Sequence, residues 1–153
     1  MYSLAGESTC KPCPAGFMCP DPTGLAITEC ADGSFSIPGY IKCLTCPPGF
    51  FCPFKNQAVM ERCPPGTYSL GALRYCLECP EHYECPHRDQ LIKLKDGYFS
   101  PAGTSVPLKC RAGWECKHVG VANSYVRPCE MGYYSPTGSS ACIICPIGYY
   151  CPI

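Results

Sequence analysis

The 153-residue chain has no excess of charge: twelve Lys and Arg balance twelve Asp and Glu. That balance excludes the basic face that nucleic acid or anionic lipid requires. No apolar run approaches the ~20 residues that cross a bilayer, so no membrane span is expected. No window combines apolar i, i+3, i+4, i+7 spacing with freedom from Pro and Gly, which excludes an ordinary helical core. Met1 is not followed by the charged and apolar regions of a secretory leader. Asparagine occurs only at Asn56 and Asn123, and neither begins N-x-S/T, so no N-linked sugar acceptor exists. His82, His87 and His118 lack the spacing of a catalytic dyad or a metal site. No serine sits in a nucleophile elbow, no glycine-rich loop precedes Lys-Ser/Thr, and the carboxylates are too dispersed for a calcium cage. The sequence therefore offers no catalytic residue, no cofactor site and no metal site.

Cysteine, proline and glycine are what the chain has instead. Seventeen cysteines in 153 residues exceed the roughly 8–10% that marks a disulfide scaffold. Eighteen prolines and fifteen glycines shape turns and break helices. Gln90 to Lys95 alternates apolar and polar residues and is expected to form a short strand. Modules that bury so little apolar surface replace a core with covalent staples. Such bridges persist in oxidising surroundings, so the expected location is extracellular or lumenal.

The cysteines keep a period of 33 residues, seen in Cys10, Cys43, Cys76, in Cys13, Cys46, Cys79, in Cys19, Cys52, Cys85, and in Cys30, Cys63. Each unit follows C-x2-C-x5-C-x10-C. A fixed period of this size indicates stacked modules. Residues 1–9 match the second half of a unit, because YSLAGESTC before Cys10 aligns with YSLGALRYC before Cys76. Repeats then cover 10–42, 43–75, 76–106 and 107–141, and a fifth begins at 142–153. Met1 stands at the place of Thr67, and Ile153 closely follows a third cysteine. Both ends fall within repeats, so the chain is expected to be an excerpt of a longer extracellular protein.

The third unit supplies a constraint on bonding. Aligning Asp96-Gly97-Tyr98-Phe99-Ser100 with Asp32-Gly33-Ser34-Phe35-Ser36 places Leu94 where a fourth cysteine belongs. Counting back from Cys110 places Pro107 where the next first cysteine belongs. Leu94 and Pro107 have the separation of Cys30 and Cys43, so two cysteines are missing together at the spacing of a bonded pair. The joint loss suggests Cys30–Cys43, Cys63–Cys76 and Cys129–Cys142. The remaining second and third cysteines then pair as Cys13–Cys19, Cys46–Cys52, Cys79–Cys85, Cys110–Cys116 and Cys145–Cys151. Cys10 is left for a cysteine upstream of the chain. Bonding first to fourth within a unit would strand Cys76 and Cys129. A first-to-third, second-to-fourth exchange stays geometrically open. Residues 94–107 are expected to be the loosest joint, unless Leu94 and Val106 replace the bond with an apolar contact. Four C-x2-C pairs also admit a zinc reading, but the third and fourth cysteines would then have no role.

Aromatic doublets recur at Phe50-Phe51, Tyr98-Phe99, Tyr133-Tyr134 and Tyr149-Tyr150, with Phe17, Tyr68, Tyr83 and Trp114 in related places. One ring of each is expected to cover a disulfide as a small core. The second ring, at Phe51, Tyr134 and Tyr150, is the candidate for contact with a partner, since rings add interface area with few rotamers to freeze. Thr23 and the SPTGSS run with Ser135, Thr137, Ser139 and Ser140 lie in Pro/Gly turns that suit O-linked sugar.

Cys63-Pro-Pro-Gly-Thr-Tyr-Ser, Cys129-Glu-Met-Gly-Tyr-Tyr-Ser and the C-x2-C-P-x-G-Tyr-Tyr-C-P run from Cys142 to Pro152 resemble the ephrin-receptor-like cysteine-rich repeat. That family is related in style to tumour-necrosis-factor-receptor repeats, and the resemblance covers essentially the whole chain. It implies a loop-rich, disulfide-laddered extracellular array, and it does not imply kinase activity. The fold class expected is small and disulfide-rich, an elongated tandem array of loop-rich modules with short two-stranded β-ribbons and little or no helix. The function expected is a structural spacer or filament-forming protein of a cell surface or flagellar appendage, self-associating or bound to other extracellular proteins or carbohydrate. The alternative is the ligand-binding or adhesion ectodomain of a receptor-like protein.

Overall fold

The computed structural model describes residues 1–119 and 123–152. Among them there is no helix, and the chain is a small disulfide-rich protein of tandem hairpins. β1 (Phe17–Met18) pairs with β2 (Thr28–Glu29), β3 (Ser34–Phe35) with β4 (Leu44–Thr45), and β5 (Phe50–Phe51) with β6 (Glu61–Arg62). β7 (Thr67–Tyr68) pairs with β8 (Leu77–Glu78), β9 (Tyr83–Glu84) with β10 (Ile92–Lys93), and β11 (Tyr98–Phe99) with β12 (Leu108–Lys109). β13 (Trp114–Val119) pairs with β14 (Asn123–Pro128), and β15 (Tyr133–Tyr134) with β16 (Ile143–Ile144). Of the alternating Gln90–Lys95 stretch, only the two residues of β10 are strand. Two compact units emerge, Met1–Leu77 with His87–Gln90, and Glu78–Pro86 with Leu91–Ile153.

Each hairpin starts from the same turn. After a half-cystine, or after Leu94 in the sixth hairpin, come two residues, a glycine and an aromatic or small residue whose amide closes the turn. Phe17 N–H reaches the Pro14 carbonyl at 3.3 Å, as do Phe50 to Pro47 and Tyr83 to Pro80. The third residue of such a turn needs a positive φ, as in type II turns, and glycine adopts it without steric cost. Gly16 has φ 84 and Gly49 has φ 81. At the same place in the fifth hairpin His82 holds φ 67. The turn residue's carbonyl then accepts the amide of the next half-cystine, extending each ribbon by one rung: Cys30 to Gly16 at 2.8 Å, Cys63 to Gly49 at 3.0 Å, Cys129 to Gly113 at 2.8 Å.

Consecutive hairpins are stitched by further main-chain bonds. In the first unit Gly16 N–H donates to Ser36 O at 3.1 Å and Gly49 N–H to Ser69 O at 2.8 Å. Ala72 N–H donates to Cys46 O at 2.8 Å, and Cys52 N–H to Leu73 O at 3.0 Å. In the second unit His82 N–H donates to Ser100 O at 3.3 Å, Gly113 N–H to Ser135 O at 2.9 Å, and Gly138 N–H to Cys110 O at 2.7 Å. The same residues recur at each step, so the repeat seen in the cysteines is also a repeat of hydrogen bonds.

The interior is mostly sulfur. Half-cystines dominate the fully buried side chains, as expected of a chain whose staples replace apolar burial. One apolar cluster joins Phe35, Cys46 and Cys52, with Phe50 packed on it. That is the expected ring over a disulfide.

Candidate functional site

Eight disulfides close within the chain, and their partners are those deduced from the missing pair. Cys13–Cys19, Cys46–Cys52, Cys79–Cys85, Cys110–Cys116 and Cys145–Cys151 each span six positions. Cys30–Cys43, Cys63–Cys76 and Cys129–Cys142 each span thirteen. The two members of a C-x2-C pair therefore belong to different bridges: Cys43 bonds back to Cys30 and Cys46 bonds forward to Cys52. Used in this way, they leave no thiolates for zinc. Cys10 is an exposed free thiol.

The two bridge types do different jobs. A short bridge begins before the turn and ends beside the first strand of the ribbon, so it tightens the turn alone. A long bridge begins before the turn and ends just before the second strand, so it fixes the length of the connecting loop. The sixth hairpin lacks its long bridge. There Leu94 is only 6% exposed, comparable to the half-cystines it replaces, while Val106 stands 68% exposed. The ribbon is nevertheless complete, with Tyr98 paired to Lys109 and Phe99 to Leu108, and Cys110 N–H bound to Gly97 O at 2.8 Å.

The aromatic candidates follow a different pattern from outward alternation. Phe51 and Tyr134 are half-buried, and it is Tyr133, the first of its doublet, that is exposed. Tyr150 is 87% exposed, but its neighbour Tyr149 is exposed as well at 76%. The reason is local: a two-residue strand is followed at once by a buried residue, such as Cys52 or Ser135, which draws the second ring inward beside it. The recurring exposed apolar residues lie on the opposite strand, at Leu44, Leu77, Leu108 and Ile143. Each directly follows a first-cysteine position, and three face an aromatic ring across the ribbon: Phe35 to Leu44, Phe99 to Leu108, Tyr134 to Ile143.

Thr23 and Thr137 are exposed and Ser139 is half-buried. Thr23 donates through both its amide and its hydroxyl to Asp21. Ser135 is a correction, because it is buried and its hydroxyl donates to Trp114 O at 2.7 Å. Ser36 does the same to Phe17 O at 2.7 Å. Ser36, Ser69, Ser100 and Ser135 are all buried. Their recurrence after the aromatic of each unit was the sequence signal for this role, since a buried hydroxyl must find a partner.

Two groupings escaped the sequence reading. Glu115 on β13 and Arg127 on β14 are paired across the ribbon, and the guanidinium Nε donates to the carboxylate. The other carboxylate oxygen accepts Cys142 N–H at 3.0 Å. The Arg127 hydrogen bond is the chief reason that the Glu115 carboxyl lies below the usual range; burial opposes it, and the Cys142 amide adds to it. The second grouping is His82 with His118, whose ring centroids are 5.2 Å apart. No three or more His, Cys, Asp or Glu residues converge on a common point among the described residues, and no described helix is long and apolar enough to cross a membrane.

Fold and bridges together define a class: a small disulfide-rich protein built as a tandem array of stapled hairpins. Comparison with protein-family models and with curated proteins finds no match.

Proposed function

We propose that this chain is a segment of an extracellular structural array, a spacer or filament-forming cysteine-rich repeat protein. The observation that carries this reading is the stitching. Within each compact unit neighbouring hairpins share main-chain hydrogen bonds, and a half-cystine such as Cys30, whose amide closes one ribbon on Gly16 O, also opens the turn of the next. Tension on such a chain passes from rung to rung through bridges and paired backbone. In repeat architectures each module relies on its neighbours, and mechanical continuity is the natural product. The resemblance to ephrin-receptor-like repeats supports an extracellular setting, as does the density of bridges. Exposed Thr23 and Thr137 are the acceptors for O-linked sugar on this reading. The exposed aliphatic residues Leu44, Leu77, Leu108 and Ile143 are the apolar contacts available for self-association.

Low-dose electron imaging of the native particle is the test. Fibres, or stalks carrying a periodic substructure, are the expected result. Dispersed monomers that bind a soluble protein ligand would overturn the reading in favour of a receptor or adhesion ectodomain.

A further inference from the structure

We infer that His82 and His118 form a binding site for a divalent cation of the zinc type, with water completing the coordination. Three independent features of the second unit meet at this pair.

The first is the state of His118. This ring is buried, and its Nε2 lies 2.6 Å from the Tyr98 carbonyl. A carbonyl only accepts, so Nε2 carries the proton and Nδ1 presents a bare lone pair. A ring nitrogen that donates to a main-chain carbonyl, fixing the tautomer and aiming the other nitrogen, is the usual support of a metal-ligating histidine. The backbone of His118 is anchored as well, its N–H donating to Asp96 Oδ1 at 2.8 Å.

The second feature is the pairing of unpartnered nitrogens. Nδ1 of His118 and Nδ1 of His82 are both buried and neither has a hydrogen-bond partner. Buried polar nitrogens are almost always satisfied, and here two occur on neighbouring rings. Imidazoles bound to one tetrahedral zinc at about 2.0–2.1 Å hold their ring centroids roughly 5 Å apart. The observed separation is 5.2 Å, with the rings inclined at 56°.

The third feature is strain. His82 occupies the turn position held by Gly16, Gly49 and Gly113 in the other short-bridged hairpins, at φ 67. A side chain costs free energy in that backbone region, and such outliers cluster at functional sites. His82 also lines a 420 Å³ cavity with Glu81, Ser124 and Tyr125, which supplies an approach for a hydrated ion. Neutral imidazole is a preferred ligand of zinc, copper and nickel and a poor one for magnesium or calcium.

The test is calorimetric titration of the full chain with Zn²⁺, using Mg²⁺ as a control, in a Cys10→Ser background so that the free thiol does not compete. One Zn²⁺ should bind per chain, shifting the ring resonances of both histidines, and Mg²⁺ should not bind. His82→Gly restores the residue of the sister hairpins, so it should fold with all eight bridges and bind Zn²⁺ at least tenfold more weakly. His118→Gln keeps a donor for the Tyr98 carbonyl and should lose binding to the same degree. Absence of Zn²⁺ binding in the parent chain would show a stacked pair only and overturn the inference. Affinity in both variants unchanged from the parent chain would place the ion elsewhere and overturn it equally.

Discussion

A Cβ added to Gly97 would lie 2.2 Å from the Gly138 carbonyl oxygen, in a backbone held at φ 87. Gly33 is as constrained, with the Ala72 carbonyl 2.0 Å away from such an atom. Gly97→Ala and Gly33→Ala each combine a strained φ with main-chain overlap, and each is expected to cost about 2–4 kcal/mol, read as a lowered denaturation midpoint. His82→Gly in metal-free buffer should instead gain about 1 kcal/mol by releasing strain. The sequence shows why: CPEHYEC aligns with CPPGFFC, so the histidine in a glycine's place was legible as an anomaly. Its approach to His118 was not, because 36 positions separate them and no spacing rule brings them together. Glu115 adds a pH-dependent contribution at the same scale. Its carboxyl titrates below the usual range, so its stabilisation is complete above the ordinary glutamate value of about 4.3 and is lost as pH falls through the lower folded value. Thermal midpoints of the parent chain should therefore fall faster than those of Glu115→Gln as pH drops below about 4.3. Glu115→Ala also leaves Cys142 N–H without its acceptor, at a cost of about 1–3 kcal/mol.

At the level of the hairpin, the cysteine pattern carried most of the information. The period, the two bridge types and the short two-stranded ribbons all follow from spacing and from the residues around each C-x2-C. The joint absence at Leu94 and Pro107 narrowed what spacing alone leaves open, and it pointed to the long bridges that the structure closes. The direction of the rings was not legible, because strict alternation needs strands longer than two residues, and here the buried serine or half-cystine after each doublet decides. The sixth hairpin offers a constructive check. Its ribbon and its Gly97–Cys110 rung match those of its bridged counterparts, so Leu94→Cys with Pro107→Cys should form a ninth bridge. Intact mass should then fall by two hydrogens, and stability should rise by about 3 kcal/mol for a loop of this length. Leu94→Cys alone should remain a free thiol and destabilise by losing the buried leucine.

For the whole chain, stability is distributed over local closures, so no single cooperative core stands behind it. Graded reduction should melt the protein in several steps, as far-ultraviolet dichroism and bridge mapping would both report, and a single sharp transition would contradict a nearest-neighbour array. The bridge types also carry a consequence for how the chain tolerates change in length. In hairpins of the long-bridge kind the pairing distance never varies: Ser34 meets Thr45, Tyr98 meets Lys109, Tyr133 meets Ile144. In the short-bridge kind it varies by twos: Phe17 meets Glu29, Tyr83 meets Lys93, and Trp114 meets Pro128. Insertions and deletions have thus been absorbed in every second loop, the one that no covalent frame measures. The six-residue strands β13 and β14 are the largest such growth; the Glu115–Arg127 contact arises on them, and so does His118 of the histidine pair. A foreign epitope grafted between exposed Gln57 and Ala58 should leave the neighbouring bridges intact, whereas the same graft within the Cys30–Cys43 loop should not. New surface chemistry can enter this fold at alternate steps while the intervening steps keep the ruler.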